Sequence, residues 1–103
     1  MTARVFLIEF FQMKDLIIHI RELNNRTRAW IAEDPANRGA GMLAEDLEHW
    51  NRYGVHTVEQ FEHYMAAADY SDMYKDKYGY RPNWARLSAM SIEELRKWIA
   101  RIA

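Results

Sequence analysis

Residues 3–32 read ARVFLIEFFQMKDLIIHIRELNNRTRAWIA, and the spacing of the core-facing side chains in this stretch decides the fold class. Phe6, Phe10, Met13, Ile17, Ile20, Leu23, Thr27 and Ile31 follow one another in steps of three and four, the period of one face of a helix. Leu7, Phe11, Leu16 and Ile18 widen the stripe, so this helix is expected to be the central, most buried element. Residues 5–10 also suit a strand by composition, being β-branched and aromatic. No partner strand is legible elsewhere, which favours the helix. Glu9, Lys14, Asp15 and His19 interrupt the run before about twenty apolar residues accumulate, so it is not expected to span a membrane. It also lacks the basic start and small-residue cleavage site of a leader, and is expected to be structural.

Downstream, Asp34-Pro35 and the Gly39–Gly41 stretch break the pattern. A second helix is expected from Ala40 or Gly41 to Tyr53, with Met42, Leu43, Leu47 and Trp50 inward and Gly54 as a left-handed cap. Thr57 with Gln60 reads as a capping box opening a third helix, with Val55 placed as a staple. Gly79 and Pro82 end it. Ser91 with Glu94 opens a last helix through Leu95, Trp98, Ile99 and Ile102. The expected fold is therefore all-α, a compact bundle of four to five helices with a long N-terminal helix, and residues 1–103 are expected to form a single domain.

A chain of 103 residues buries roughly 60–70% of its unfolded surface. With half of its residues apolar, including four Trp, four Phe and six Met, it has a core available without staples. The absence of cysteine excludes a disulfide framework, a thiol nucleophile and Cys-ligated zinc, and fits a reducing compartment. The net charge of −1 is unevenly placed: +1 over residues 1–38, −5 over 39–79 and +3 over 80–103. An acidic middle beside a basic end is expected to be complementary within the fold.

Residues 69–84, DYSDMYKDKYGYRPNW, carry Tyr70, Tyr74, Tyr78 and Tyr80, then Arg81, Pro82 and Trp84. Aromatic groups with polar handles beside an arginine are the residue types that carry interface energy, of order 2 kcal/mol or more at a hot spot. The same stretch holds a register conflict. Val58, Phe61, Met65 and Ala68 share one helix face, while Tyr70, Tyr74 and Tyr78 lie nearly opposite. Either the helix kinks near Asp69, whose side chain would cap a new start, or the tyrosines meet the C-terminal segment or a partner.

Other chemistry is thinly supported. His49, His56 and His63 are seven apart, with Glu45, Asp46 and Glu59 nearby, but Gly54 interrupts the helix between them. They are expected as surface or capping histidines, with no metal and no cofactor. Asp69, Asp72 and Asp76 share a helix face with Lys75 and Lys77 interspersed, which suits solvated ion pairs. No EF-hand pattern and no Gly-flanked serine elbow is present. No enzymatic activity is expected. Arg21, Arg26, Arg28 and Arg38, or Arg81, Arg86, Arg96, Lys97 and Arg101, would serve nucleic-acid binding, but a pI near 6.4 is far from a basic footprint.

At residues 71–82, SDMYKDKYGYRP, the chain resembles small uncharacterised accessory proteins of tailed bacteriophages and prophages. Those carry S-D-x-Y-K-[DE]-x-[YH]-G-[FY]-R-P and a final helix opened by Ser-x-Glu-Glu-Leu. Ser71, Asp72, Tyr74, Lys75, Asp76, Tyr78, Gly79, Tyr80, Arg81 and Pro82 match, then Ser91, Glu93, Glu94 and Leu95. Asn83 departs from a position where that family often has a second basic residue. The resemblance covers the last third of the chain. It implies an accessory protein in the cytoplasm of a bacterial host and no particular reaction.

The functional expectation is a non-enzymatic protein that binds and modulates a host or phage protein, such as a defence complex in the manner of an anti-CRISPR or anti-restriction inhibitor. Tyr70, Tyr74, Tyr78, Tyr80 and Arg81 are the candidate partner-binding residues. The rival role for the same residues is an internal clamp of the last helix on the third, with Pro82 and Trp84 as a hinge. The alternative function is nucleic-acid binding through the C-terminal Arg/Tyr/Trp segment. The wide apolar face of the first helix also leaves a homodimer open.

Overall fold

The computed structural model describes the backbone of residues 3–39 and 41–103, and side chains from residue 11 onward with the exception of Ala40. Its elements are α1 (Ala3–Glu33), a 3₁₀ turn (Pro35–Gly39), α2 (Leu47–Asn51), α3 (Val58–Tyr78), α4 (Trp84–Ala89) and α5 (Ile92–Ile102). No strand occurs among the described residues, so the fold is all-α. The chain divides into two compact units, Met1–Val58 and Glu59–Ala103.

In the first unit, α1 runs for 31 residues. It includes residues 5–10, which settles the strand alternative in favour of the helix. Leu16, Ile20 and Asn24, four apart, are fully buried, each apolar member contributing about 1.5–3 kcal/mol. Met13, Ile17, Leu23, Thr27 and Ile31 flank them half-buried. The stripe is narrower than expected: Phe11 and Ile18 are more than half exposed. The inward positions expected at Phe6, Leu7 and Phe10 lie outside the described side chains.

The second helix is much shorter than its apolar spacing predicts. Residues 41–46 are irregular, Met42 is exposed, and only Leu47–Asn51 is helical. Asn24 explains the difference. Its Nδ2 donates to the Leu43 carbonyl at 2.8 Å while its Oδ1 accepts the Leu43 N–H at 2.8 Å. Both Leu43 backbone groups are thus satisfied sideways by α1, and none is left for a helix ladder. Trp50 Nε1 donates to the Ala44 carbonyl at 2.6 Å, and Asp46 caps α2 by accepting the Glu48 N–H. Gly54 ends the element at φ +74°, the left-handed cap expected of it. In the 3₁₀ turn, Asp34 accepts the Ala36 N–H, and Asn37 donates to the Trp30 carbonyl at the end of α1.

In the second unit, α3 is continuous through Asp69, so no new helix starts there. The register conflict is resolved by a change of buried face along one unbroken helix. Phe61 is buried in the first half, while Ala66, Ala67 and Ser71 are buried further on. The two alanines give α3 a low surface on which Leu87 of α4 and Leu95 of α5 are buried, with Tyr70, Met90, Ile92 and Ile99 packed around them. His63 Nε2 donates to the Met90 carbonyl at 2.6 Å, tying the end of α4 to α3 and placing the imidazole proton on that nitrogen.

Helix α4 was not foreseen. Trp84, expected as part of a hinge, is its first residue, and Asn83 caps it by accepting the Arg86 N–H at 3.2 Å. Ser91 caps α5: its Oγ accepts the Glu94 N–H at 3.1 Å, and its hydroxyl donates to Glu94 Oε1 at 3.2 Å.

Candidate functional site

Tyr70, Tyr74 and Tyr78 recur every four residues and therefore stack along one side of α3. Their ring centroids are 5.9 Å apart for Tyr70–Tyr74 and 4.5 Å for Tyr74–Tyr78. Gly79 then turns the chain with φ +84°, its N–H donating to the Lys75 carbonyl at 2.8 Å. The turn brings Tyr80 back onto the row, 5.6 Å from Tyr74 ring to ring, with the two hydroxyl oxygens 3.4 Å apart. Tyr74 is thus the hub of the four tyrosines. Its hydrogen bond with Tyr80, then desolvation and the neighbouring phenols, push its pKa above the usual 10.

Arg81 continues the return. Its Nη1 donates to Asp72 Oδ1 at 2.6 Å and to the buried Ser71 Oγ at 3.1 Å. This fastens the segment after Gly79 to the side of α3. Asp69, one turn earlier, has its pKa raised by burial and by the nearby Asp72 carboxylate.

Between α3 and α5 the row of rings forms one wall of a cleft of about 190 Å³, lined by Tyr70, Tyr74, Lys77, Tyr78, Trp98, Arg101 and Ile102. It shares Tyr70, Tyr74 and Trp98 with an adjoining groove of about 470 Å³ bounded by Pro82, Arg86, Leu87, Met90 and Glu94. Two cations lie against aromatic faces here: Arg101 is 5.2 Å from the Trp98 ring and Lys77 is 5.7 Å from that of Tyr78.

The five candidate residues fall into two groups. Tyr70 packs against the core and Tyr74 is half-buried at the hub. Tyr78 and Tyr80 are 51% and 62% exposed. Arg81 is spent on Ser71 and Asp72, although its side chain remains half exposed. Trp98 is a cleft wall that the sequence does not reveal, because its spacing with Leu95, Ile99 and Ile102 reads as one apolar run. At 100° per residue it lies on the flank of that face, with Arg101 one turn on, and it is 43% exposed.

The remaining residues singled out from the sequence are largely engaged in structure. His49 packs edge-on against Trp50 and Tyr53, at 5.1 and 5.4 Å. No group of three or more His, Cys, Asp or Glu among the described residues is arranged to hold a metal. Glu45 faces both Arg21 and Arg28, at 3.6 and 3.7 Å, and Glu62 faces Arg96 at 4.0 Å. No helix among the described residues is long and apolar enough to cross a membrane. In comparisons with known proteins, no family model, no curated protein and no solved structure matched this chain.

Proposed function

We propose that the chain is a non-enzymatic binding protein that docks a host or phage protein through the aromatic cleft of its second unit and thereby modulates it. The observation that carries this reading is that Tyr78 and Trp98 stay 51% and 43% exposed while lining one cleft, with Tyr80, 62% exposed, beside them against the Tyr74 ring. Scattered exposed aromatics need no explanation, but clustered ones with polar handles are the composition of an interface core. Tyr70 and Arg81 serve the internal clamp, and Tyr78, Tyr80 and Trp98 the docking surface. The phage-type setting, an anti-defence role in the bacterial cytoplasm, rests on the motif resemblance of residues 71–82.

The test is affinity capture from bacterial lysate with the wild-type chain, Tyr78→Ala and Trp98→Ala. Both side chains are exposed enough for the variants to keep the fold. Loss of a partner's affinity by about tenfold or more in each variant is expected for anchors of this kind. Full retention of every captured partner by both variants overturns the reading.

A further inference from the structure

The charge around the cleft specifies what kind of partner segment fits it. Arg21, Arg28, Arg52, Arg81 and Arg96 each have a carboxylate within 4.0 Å. Lys77, Arg86 and Arg101 have no carboxylate within that distance among the described residues, nor have Arg26, Arg38, Lys75 and Lys97, but only the first three line the cleft and its adjoining groove. The one carboxylate lining the groove, Glu94, is held by the Ser91 hydroxyl at 3.2 Å. The acidic residues in the C-terminal half of α3 are turned elsewhere. At 100° per residue Asp69, Asp72 and Asp76 group on the side of the helix away from Tyr70, Tyr74 and Lys77. The cleft therefore presents aromatic walls with unpaired positive charge at the rim.

We propose that this cleft takes an acidic peptide segment of a protein partner, with an aromatic or aliphatic anchor seated between Tyr74 and Trp98 and flanking carboxylates meeting Lys77, Arg86 and Arg101. The proposal rests on the docking reading and names the partner's chemistry. An anionic nucleic acid is the competing occupant, since aromatic faces also stack bases. The groove favours the peptide: Met90 and Pro82, both half-buried, border it beside the rings, an apolar surface suited to a Leu or Phe side chain. Lys77 and Arg101 over the rings of Tyr78 and Trp98 leave their charges at the cleft mouth, where a carboxylate reaches them without burial. Such rim charges steer encounter and select partners more than they add affinity.

The experiment selects randomised short peptides, spanning both signs of charge, against the immobilised full chain. A single-stranded oligonucleotide serves as competitor. The expected result is enrichment of peptides with Asp or Glu flanking Phe, Trp or Leu, with affinity that weakens as salt rises. Lys77→Gln with Arg101→Gln should slow association with those peptides about threefold and flatten its salt dependence, and Lys77→Glu with Arg101→Glu should shift selection toward basic peptides. Selection without an acidic bias, selection of nothing, or displacement by the oligonucleotide overturns the proposal. If Trp98→Ala and Tyr78→Ala abolish lysate capture while the charge variants leave both capture and selection unchanged, the docking reading stands and this inference alone fails. If none of the variants affects capture, both fail.

Discussion

Arg81 and Asp72 form the contact that returns the chain along α3, with Nη1 of one 2.6 Å from Oδ1 of the other. The same nitrogen reaches Ser71 Oγ at 3.1 Å, on a residue that is 4% exposed. The half-exposed ion pair by itself is worth about 0–1 kcal/mol. The Ser71 bond matters as much, because its hydroxyl sits where water has little access. Together they hold Tyr80 against Tyr74 and place Asn83 to begin α4.

Arg81→Ala should therefore destabilise the chain by about 1–2 kcal/mol in urea unfolding. Adding Ser71→Ala to it should cost less than Ser71→Ala costs alone, since the shared bond is already gone. Strict additivity of the two losses would show that Arg81 does not act through Ser71.

Asn24 satisfies both backbone groups of Leu43, and its own side chain is buried. Asn24→Ala should cost about 1–3 kcal/mol by leaving that N–H and carbonyl unpaired. Asn24→Asp should cost more, because a carboxylate oxygen would then face the Leu43 carbonyl at the place of a donor. Thermal or urea unfolding of the two variants ranks them, and an Asp variant as stable as wild type would contradict the clamp.

Gly79 has φ +84°, and an added Cβ there would meet nothing within 4 Å. The expected cost of Gly79→Ala is thus conformational alone, about 1 kcal/mol, with Gly79→Asn milder. A loss several times larger would mean that packing constrains the turn.

The raised pKa of Asp69 has a defined sign. Its folded value lies above the ordinary 3.8, so between the two the folded chain binds more protons than the unfolded one. Stability from this group is present below 3.8 and is lost as pH rises through the folded pKa. Asp69→Asn should accordingly be more stable than wild type at neutral pH, with the advantage vanishing below pH 3.8. Urea unfolding across that range checks it, and a difference independent of pH would contradict the assigned cause.

The parts of the fold legible in the sequence are those determined locally. The helical period of α1, the positive-φ positions of Gly54 and Gly79, and the Ser91–Glu94 box each depend on residues a turn or so apart. Residues 41–46 escaped because Met42, Leu43 and Leu47 keep helical spacing while Asn24, nineteen positions before Leu43, offers a competing partner. A side chain that distant leaves no local trace. Helix α4 did leave one, since Asn83 stands where a cap belongs, but Pro82 beside it reads as a stop.

The candidate site was legible as a group of rings and not as a surface. The four-residue spacing places Tyr70, Tyr74 and Tyr78 together, yet which of them is covered depends on α5, whose approach is set by Ala66 and Ala67. Tyr70 is taken into that core and Tyr78 is left outside it. Trp98 enters the site only through the same approach.

An isotope-edited NMR titration of the chain with its captured partner tests the docking claim most directly, with the Tyr and Trp side chains labelled. The account predicts shifts and broadening concentrated on Tyr74, Tyr78, Tyr80 and Trp98. Perturbation confined to Trp30, Trp50 and Tyr53 of the first unit, with the cleft rings unmoved, would contradict it.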